Sequence, residues 1–170
     1  MGSADVDAFH GGAQARGAVQ GKDGKIVVTS AYTKYLKKLI DRLDLADNIR
    51  FMGRLTSEAM CEQMRTSHVA VVPSAIEGTS LVLREAMFLG CPSIASFRGG
   101  MADFINDRED GFLYDFSEYA YLAARLSELF ENDDLAVSFS KKGMQKAQKA
   151  HDREQNLQAY MDMYQDIFNS

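Results

Sequence analysis

The chain has 170 residues, of which 46% are hydrophobic and 25% charged, so it is long enough to bury a core as one domain. This composition excludes both a disordered chain and a membrane-spanning protein. A net charge of −5 argues against a nucleic-acid-binding protein that relies on bulk positive charge.

Alternating strands and helices are predicted along most of the chain. Residues 1–24 are rich in glycine and alanine, and we interpret them as a linker or vector-derived sequence, or as a partial N-terminal segment. Residues 25–170 are expected to form one domain. Short apolar runs predict strands at 26–28, 49–52, 69–72, 92–95 and 111–114. Helical spacing of apolar residues predicts helices at 32–43, after Thr56, and at 80–89, 119–130, 135–150 and 154–168. This alternation predicts an α/β fold with a Rossmann-like, doubly wound parallel sheet and helices on both faces.

The segment after the third strand carries the most information about function. The strand at 69–72 is apolar on both faces and ends at Pro73, as is typical of the centre of a parallel sheet. Ligands bind such sheets at the carboxyl ends of the strands. Here Gly78, Thr79 and Ser80 open a helix, and the unpaired N–H groups and positive dipole end of a helix start attract anions.

Two carboxylates flank this helix start. Glu77 stands before the glycine, and Glu85 lies about one turn inside the helix, where its side chain leans back toward the N-terminus. A carboxylate only accepts hydrogen bonds, so it suits the hydroxyls of sugars and ribose far better than phosphate. An anion-binding helix start between two hydroxyl acceptors predicts a nucleotide-sugar site.

The same segment resembles a known enzyme signature. The stretch PSAIEGTSLVLREAMFLGCPSIAS, with seven residues between Glu77 and Glu85, looks like the motif of retaining group 1 (family 4) glycosyltransferases of the GT-B architecture. The flanking segments LDLADNIRFMGRLTSEAMCEQM and FRGGMADFINDREDGFLYDF resemble that family in the same order, over about residues 24–132. The resemblance implies one half of a two-domain fold: the C-terminal, donor-binding domain, without the N-terminal acceptor domain.

The resemblance also implies a role for each matching residue. Glu77 would be catalytic, contacting hydroxyls of the transferred sugar and stabilising positive charge near its anomeric carbon. Glu85 would accept from the ribose, and Arg54 would lie at the nucleobase. The backbone of four consecutive residues would line the sugar and diphosphate: Gly78, Thr79, Ser80 and Leu81. Gly99, Gly100 and Asp103 lie where the family has Gly-Gly-x-x-Glu; the shorter Asp103 departs from that motif, and we interpret its position as structural.

No metal or other cofactor is expected beyond the nucleotide-sugar donor. Enzymes that this chain resembles neutralise the leaving diphosphate with the helix start and basic side chains. The three histidines show no metal-ligand spacing, and two cysteines, Cys61 and Cys91, cannot form a four-thiolate site. Both cysteines are interpreted as packing residues.

The expected location is the cytoplasm. The chain begins without the basic flank and apolar stretch of a signal peptide, and no apolar run approaches the roughly 20 residues of a membrane-spanning helix. Lysines between 141 and 149 leave peripheral contact of the full enzyme with the inner membrane as an alternative to a solvated helix face. The apolar stripe of Tyr160, Tyr164 and Phe168 predicts dimerisation or poor solubility of this fragment.

The function predicted first is transfer of a hexose from a nucleotide-diphosphate sugar to a saccharide or lipid-linked acceptor, in cell-surface polysaccharide synthesis. The isolated fragment is expected to be inactive. Two departures from the family leave alternatives open: no strand with a following Arg and Lys precedes Lys25, and the usual glycine-rich turn reads Thr29-Ser30-Ala31-Tyr32. The alternatives are a non-catalytic nucleotide-sugar-binding or protein-binding module of the same fold, and a GT-B sugar-nucleotide epimerase.

Overall fold

The computed structural model describes residues 18–20, 26–28 and 31–169, which belong to two compact units that meet between Ser57 and Glu58 in the sequence. In the first unit, strand β1 (Ala18–Gln20) pairs antiparallel with β2 (Ile26–Val28). Helix α1 (Ala31–Arg42) follows, and a 3₁₀ turn covers Ala46–Asn48. The boundary predicted at residue 24 lies outside the described residues and stays a prediction.

Two predictions for the first unit are corrected by the structure. The strand at 26–28 exists, but it forms a hairpin with β1 instead of joining a parallel sheet. Only five residues separate β1 from β2, whereas a parallel connection needs about a dozen or more. The strand predicted at 49–52 is wrong: Ile49 is extended, but no partner strand lies beside this segment among the described residues, and its side chains are exposed. A strand needs that partner for its backbone hydrogen bonds.

The second unit is the α/β domain that the sequence predicts. Its sheet consists of β3 (Ala70–Val72), β4 (Ser93–Ser96) and β5 (Phe112–Tyr114), all parallel and in that spatial order. The helices are α2 (Ser57–Thr66), α3 (Leu81–Phe88), α4 (Met101–Phe104), α5 (Tyr119–Glu131), α6 (Asp133–Ala150) and α7 (Arg153–Asn169). The three strands lie within about a residue of their predicted positions, and α4 is the one helix here that the sequence analysis missed.

Alternate residues of the strands point to opposite faces of the sheet, and each face is covered by helices. On β4, Ala95 packs with Leu83 of α3 and Ala147 of α6, whereas Ile94 packs with Leu129 of α5 and Phe139 of α6. Helix α6 therefore contributes to both cores, because its N-terminal half lies on one face and its C-terminal half on the other. Helices on both faces of a parallel sheet confirm the predicted fold class.

Candidate active site at the carboxyl edge of the sheet

The loop between β3 and α3 lies at the carboxyl end of the sheet. Ser80 caps α3, because its Oγ accepts a hydrogen bond from the backbone N–H of Leu83 at 3.3 Å. Ser80 itself is buried, whereas Gly78, Thr79 and Leu81 are exposed around it. The predicted anion-binding residues therefore lie at the observed start of α3. Three of them, Gly78, Thr79 and Leu81, are exposed to solvent.

Glu77 is held in place by a neighbouring hydroxyl. The Oγ of Ser74 donates to Oε2 of Glu77 at 3.1 Å. Ser74 is itself tied to the sheet, since the Oγ of Ser96, at the end of β4, donates to the carbonyl oxygen of Ser74 at 2.6 Å. The predicted catalytic carboxylate is half-buried and anchored on one side.

The loop after β4 packs directly on the Glu77–Gly78 peptide. The backbone N–H of Gly100 donates to the carbonyl oxygen of Gly78 at 2.7 Å. Gly99 has a φ of +54°, and a Cβ built on it would lie 1.8 Å from the carbonyl oxygen of Glu77. The two glycines therefore support the loop that carries Glu77, a contact that the sequence analysis did not predict. Both glycines follow β4 within four residues, and this position at the carboxyl edge of the sheet is the feature of the sequence that could have indicated the contact.

Glu85 lies on the exposed side of α3, one turn after Leu81. Its neighbour Arg84 turns elsewhere: it donates to the imidazole of His151 (Nε to Nε2, 3.1 Å) and stacks over the ring of Phe104, 4.9 Å from the centroid. Within the part of the chain that the structure describes, Glu85 forms no ion pair with Arg84. The Glu85 carboxylate is thus available to a ligand.

Arg54 lies in the first unit, whereas the other predicted site residues lie in the second. It is exposed and follows Gly53, whose φ of +64° is in the left-handed region. Its contact with a nucleobase stays a prediction.

A further carboxylate at this edge was missed by the sequence analysis. Asp115 follows β5 and accepts hydrogen bonds from the hydroxyl of Ser117 at 2.6 Å and from its backbone N–H at 2.9 Å. These bonds, together with Arg98 at 3.4 Å, lower the pKa of Asp115 below its ordinary value. The Asp-x-Ser spacing, typical of a turn closed by its own aspartate, was the available signal.

A small cavity of about 50 Å³ lies away from this loop, between α3, α4 and α6. It is lined in part by Arg84 and Lys146, whose charges are already engaged: Lys146 contacts the buried Asp110 at 3.2 Å and Asn106 at 2.9 Å. Pockets for small-molecule ligands and cofactors are typically about 300 Å³ or more. This cavity is therefore too small to hold a nucleotide.

Among residues 18–20, 26–28 and 31–169, no group of three or more His, Cys, Asp and Glu side chains is arranged to hold a metal ion. Within the same residues, no helix combines the length and apolar character that crossing a bilayer needs. The expectation that the reaction needs no metal stays a prediction.

The parallel sheet with helices on both faces is one Rossmann-like half of the GT-B fold. Sucrose-phosphate synthase from Thermosynechococcus elongatus superposes with a TM-score of 0.73 at 26% identity, over 82% of this chain and 35% of that one. The C-terminal domain of the glycosyl transferase group 1 protein LpcC from Francisella tularensis superposes with a TM-score of 0.64 at 25% identity, over 69% and 61% of the two chains.

The family model described as "Glycosyl transferases group 1" matches residues 17–146, well over half of the chain, and the protein belongs to this family. It is similar to the D-inositol 3-phosphate glycosyltransferase of Streptomyces scabiei, with 34% identity over 100 residues, 59% of this chain and 22% of that protein. It is also similar to the poly(ribitol-phosphate) alpha-N-acetylglucosaminyltransferase of Staphylococcus aureus, with 26% identity over 130 residues, 76% of this chain and 26% of that protein. The chain spans only about a fifth to a third of the length of such curated relatives.

Proposed function

We propose that this chain is the donor-binding domain of a retaining glycosyltransferase, which moves a hexose from a nucleotide-diphosphate sugar to an acceptor. The observation that carries the proposal is the position of Glu77: an anchored carboxylate directly before the capped start of α3, with the exposed Glu85 further along the same helix. Membership of the group 1 family supports the reaction class.

In this proposal, each group contacts a different part of the donor. The start of α3 attracts the diphosphate, because its backbone N–H groups and dipole favour negative charge. Glu85 accepts hydrogen bonds from the ribose hydroxyls, and Glu77 accepts from hydroxyls of the hexose. As the bond to the diphosphate breaks, positive charge grows near the anomeric carbon, and the negative charge of Glu77 stabilises it.

We also propose the place of this domain in the full enzyme, the acceptor and the location. The likeness to the C-terminal domain of LpcC supports the C-terminal position, with an N-terminal acceptor domain completing the active site. For the acceptor we propose a saccharide or a lipid-linked saccharide, in cell-surface polysaccharide synthesis, with the enzyme in the cytoplasm or peripheral at the inner membrane. The acceptors named for the relatives, D-inositol 3-phosphate and poly(ribitol-phosphate), belong to those proteins.

The test is saturation-transfer NMR of this chain with UDP-, GDP- and ADP-sugars, which detects binding as weak as about 1 mM, roughly 4 kcal/mol. We expect transfer to the base and ribose of one donor. The Glu85→Ala variant, which removes the acceptor, is expected to lose the ribose signal. The matched control is Glu62→Ala, which changes an exposed glutamate on α2 outside the loop.

Two results would contradict the proposal. One is silence from all three donors, both with this chain and with a longer chain that includes the acceptor domain. The other is an unchanged ribose signal in the Glu85→Ala variant.

A non-catalytic module of the same fold is the second candidate. It is favoured by the residues that replace the glycine-rich turn, Thr29-Ser30-Ala31-Tyr32, of which Thr29 and Ser30 lie outside the described residues. A binding module and an enzyme give the same NMR result with this chain. They are distinguished by donor turnover in the longer chain: release of the nucleoside diphosphate supports the enzyme, and tight donor binding without release supports the module.

A further inference from the structure

We propose that Ser74 and Ser96 are positioning residues for the Glu77 carboxylate. This inference rests on the proposed function and deepens it, because it names the groups that set where the sugar-contacting carboxylate lies. The two hydroxyls form a chain from the core of the sheet to the site: Ser96 donates to the carbonyl oxygen of Ser74, and Ser74 donates to Glu77.

The inner end of this chain is rigid. Ser96 is completely buried at the end of β4, and its bond to the Ser74 carbonyl oxygen is short, at 2.6 Å. A buried hydroxyl or carbonyl left without its partner loses the hydrogen bonds that it would make in water, so this bond is maintained. It fixes the backbone of the loop at the residue whose side chain reaches Glu77.

The outer end orients the carboxylate. The Ser74 hydroxyl donates to Oε2 of Glu77 at 3.1 Å. This bond limits the rotamers of the Glu77 side chain, which is half-exposed. The other oxygen, Oε1, remains for a hydroxyl of the sugar, because an ionised carboxylate has about four acceptor positions. Orientation before the ligand arrives reduces the entropy lost on binding.

A second attachment fixes the far side of Glu77. Gly100 donates to the carbonyl oxygen of Gly78 at 2.7 Å, so the loop is bound on both sides of the glutamate, to Ser96 at the end of β4 and to Gly100 after it. Glu77 is thus held between two backbone anchors, and Ser74 adds the contact to its side chain.

Ser93 provides a matched comparison on the same strand. Ser93 and Ser96 are both buried on β4, but the Ser93 hydroxyl donates to the carbonyl oxygen of Cys91 at 3.0 Å, at the opposite end of the strand. Removing either hydroxyl leaves a carbonyl group without its partner. Only Ser96→Ala also releases the loop that carries Glu77.

The first test is a double-mutant cycle on affinity for the nucleotide-sugar and for the matching free nucleoside diphosphate, with Ser74→Ala, Glu77→Ala and the double variant. We expect Ser74→Ala to weaken binding of the nucleotide-sugar about fivefold and to leave the free nucleotide unchanged. In the Glu77→Ala background, which has no acceptor for the Ser74 hydroxyl, Ser74→Ala should have no further effect. Ser74→Thr, which keeps the hydroxyl, should restore the affinity.

Equal weakening of both ligands by Ser74→Ala, or full additivity with Glu77→Ala, would overturn the inference. Ser96→Ala is expected to weaken sugar binding as Ser74→Ala does, while Ser93→Ala lowers the free energy of unfolding to a similar degree without that loss. An equal effect of the two strand variants on sugar binding would also count against it.

A measurement without ligand separates this inference from the proposed function. Scalar couplings that report χ1 of Glu77 should indicate one rotamer in the wild type and in Ser74→Thr, and averaged rotamers in Ser74→Ala. If no nucleotide-sugar binds but the couplings change as stated, the proposed function fails and the positioning contact stands. If donors bind and the couplings do not change, the positioning role fails alone.

Discussion

Gly99 lies so close to Glu77 that a Cβ at its position would be 1.8 Å from the Glu77 carbonyl oxygen. The same glycine has a left-handed φ of +54°, which other residues adopt only at a cost. A backbone contact of this kind cannot be relieved by a side-chain rotation. The segment after β4 therefore determines where the backbone of the predicted catalytic residue lies.

We predict that Gly99→Ala lowers the free energy of unfolding by about 2 kcal/mol or more and displaces the Glu77 loop. Urea denaturation measures the first effect, and the affinity for the nucleotide-sugar measures the second. Gly78→Ala is the control, because a Cβ on Gly78 meets no heavy atom within 4 Å and should leave stability unchanged. Equal stability of the Gly99→Ala variant and the wild type would contradict the prediction.

Ser80→Ala should shorten α3 at the end where the ligand is proposed to bind. The Ser80 hydroxyl is the cap of that helix, and loss of such a cap costs about 1 kcal/mol. Urea denaturation should show this loss for Ser80→Ala and much less for Ser80→Thr, which can still accept the bond. Ser127→Ala, an exposed change within α5, is the control. No difference between Ser80→Ala and Ser127→Ala would rule out the cap.

Cys91 is predicted to be unreactive in the folded protein. Burial raises the pKa of its thiol to about 11, against an ordinary value of 9.0, so only about one molecule in a thousand carries the thiolate at pH 8. Iodoacetamide at pH 8 should label the partly exposed Cys61 and leave Cys91 unmodified until the protein is unfolded, as read by peptide mass spectrometry. Labelling of both cysteines at equal rates in the native protein would contradict this.

Helix α7 is exposed along its length, and its apolar residues include Tyr160, Tyr164 and Phe168, all more than half exposed. Exposed apolar surface favours association, so the mass measured by light scattering should rise with protein concentration. Tyr160→Lys with Tyr164→Lys should suppress the rise. The control variant, Gln155→Lys with Ala159→Lys, changes the opposite side of the helix and should leave the rise in mass unchanged. A constant monomer mass for the wild type would contradict the prediction of dimerisation.

The second unit could be predicted from sequence because its signals are local. The strand at 69–72 is a continuous apolar run that ends at Pro73, and Ser80 precedes a helical apolar pattern. Glu77 and Glu85 could be chosen because their positions follow from the end of a strand and the start of a helix. These features need no knowledge of distant residues.

The failures concern partners that are remote in sequence. The run at 49–52 has strand composition, yet whether it forms a strand depends on a neighbour that hydrogen-bonds to it. The contact of Ser96 with Ser74 joins residues 22 positions apart, and only the register of β3 beside β4 brings them together. The environment of Glu77 was unpredictable for the same reason, although the residue itself could be chosen as a candidate; its catalytic role stays a prediction.

Ser117→Ala should raise the pKa of Asp115 toward its ordinary value of 3.8. Hydrogen bonds from the side chain and backbone of Ser117 are the main causes of the lowered pKa, and Arg98 contributes less. Because the ionised form is favoured in the folded protein, the stabilisation is present above about pH 4 and is lost as the pH falls through the lowered pKa. A ¹³C titration of the carboxyl group should show a larger upward shift for Ser117→Ala than for Arg98→Gln. A larger shift for Arg98→Gln would mean that the exposed, screened Arg98–Asp115 ion pair, and not the hydrogen bonds from Ser117, is the main cause of the lowered pKa.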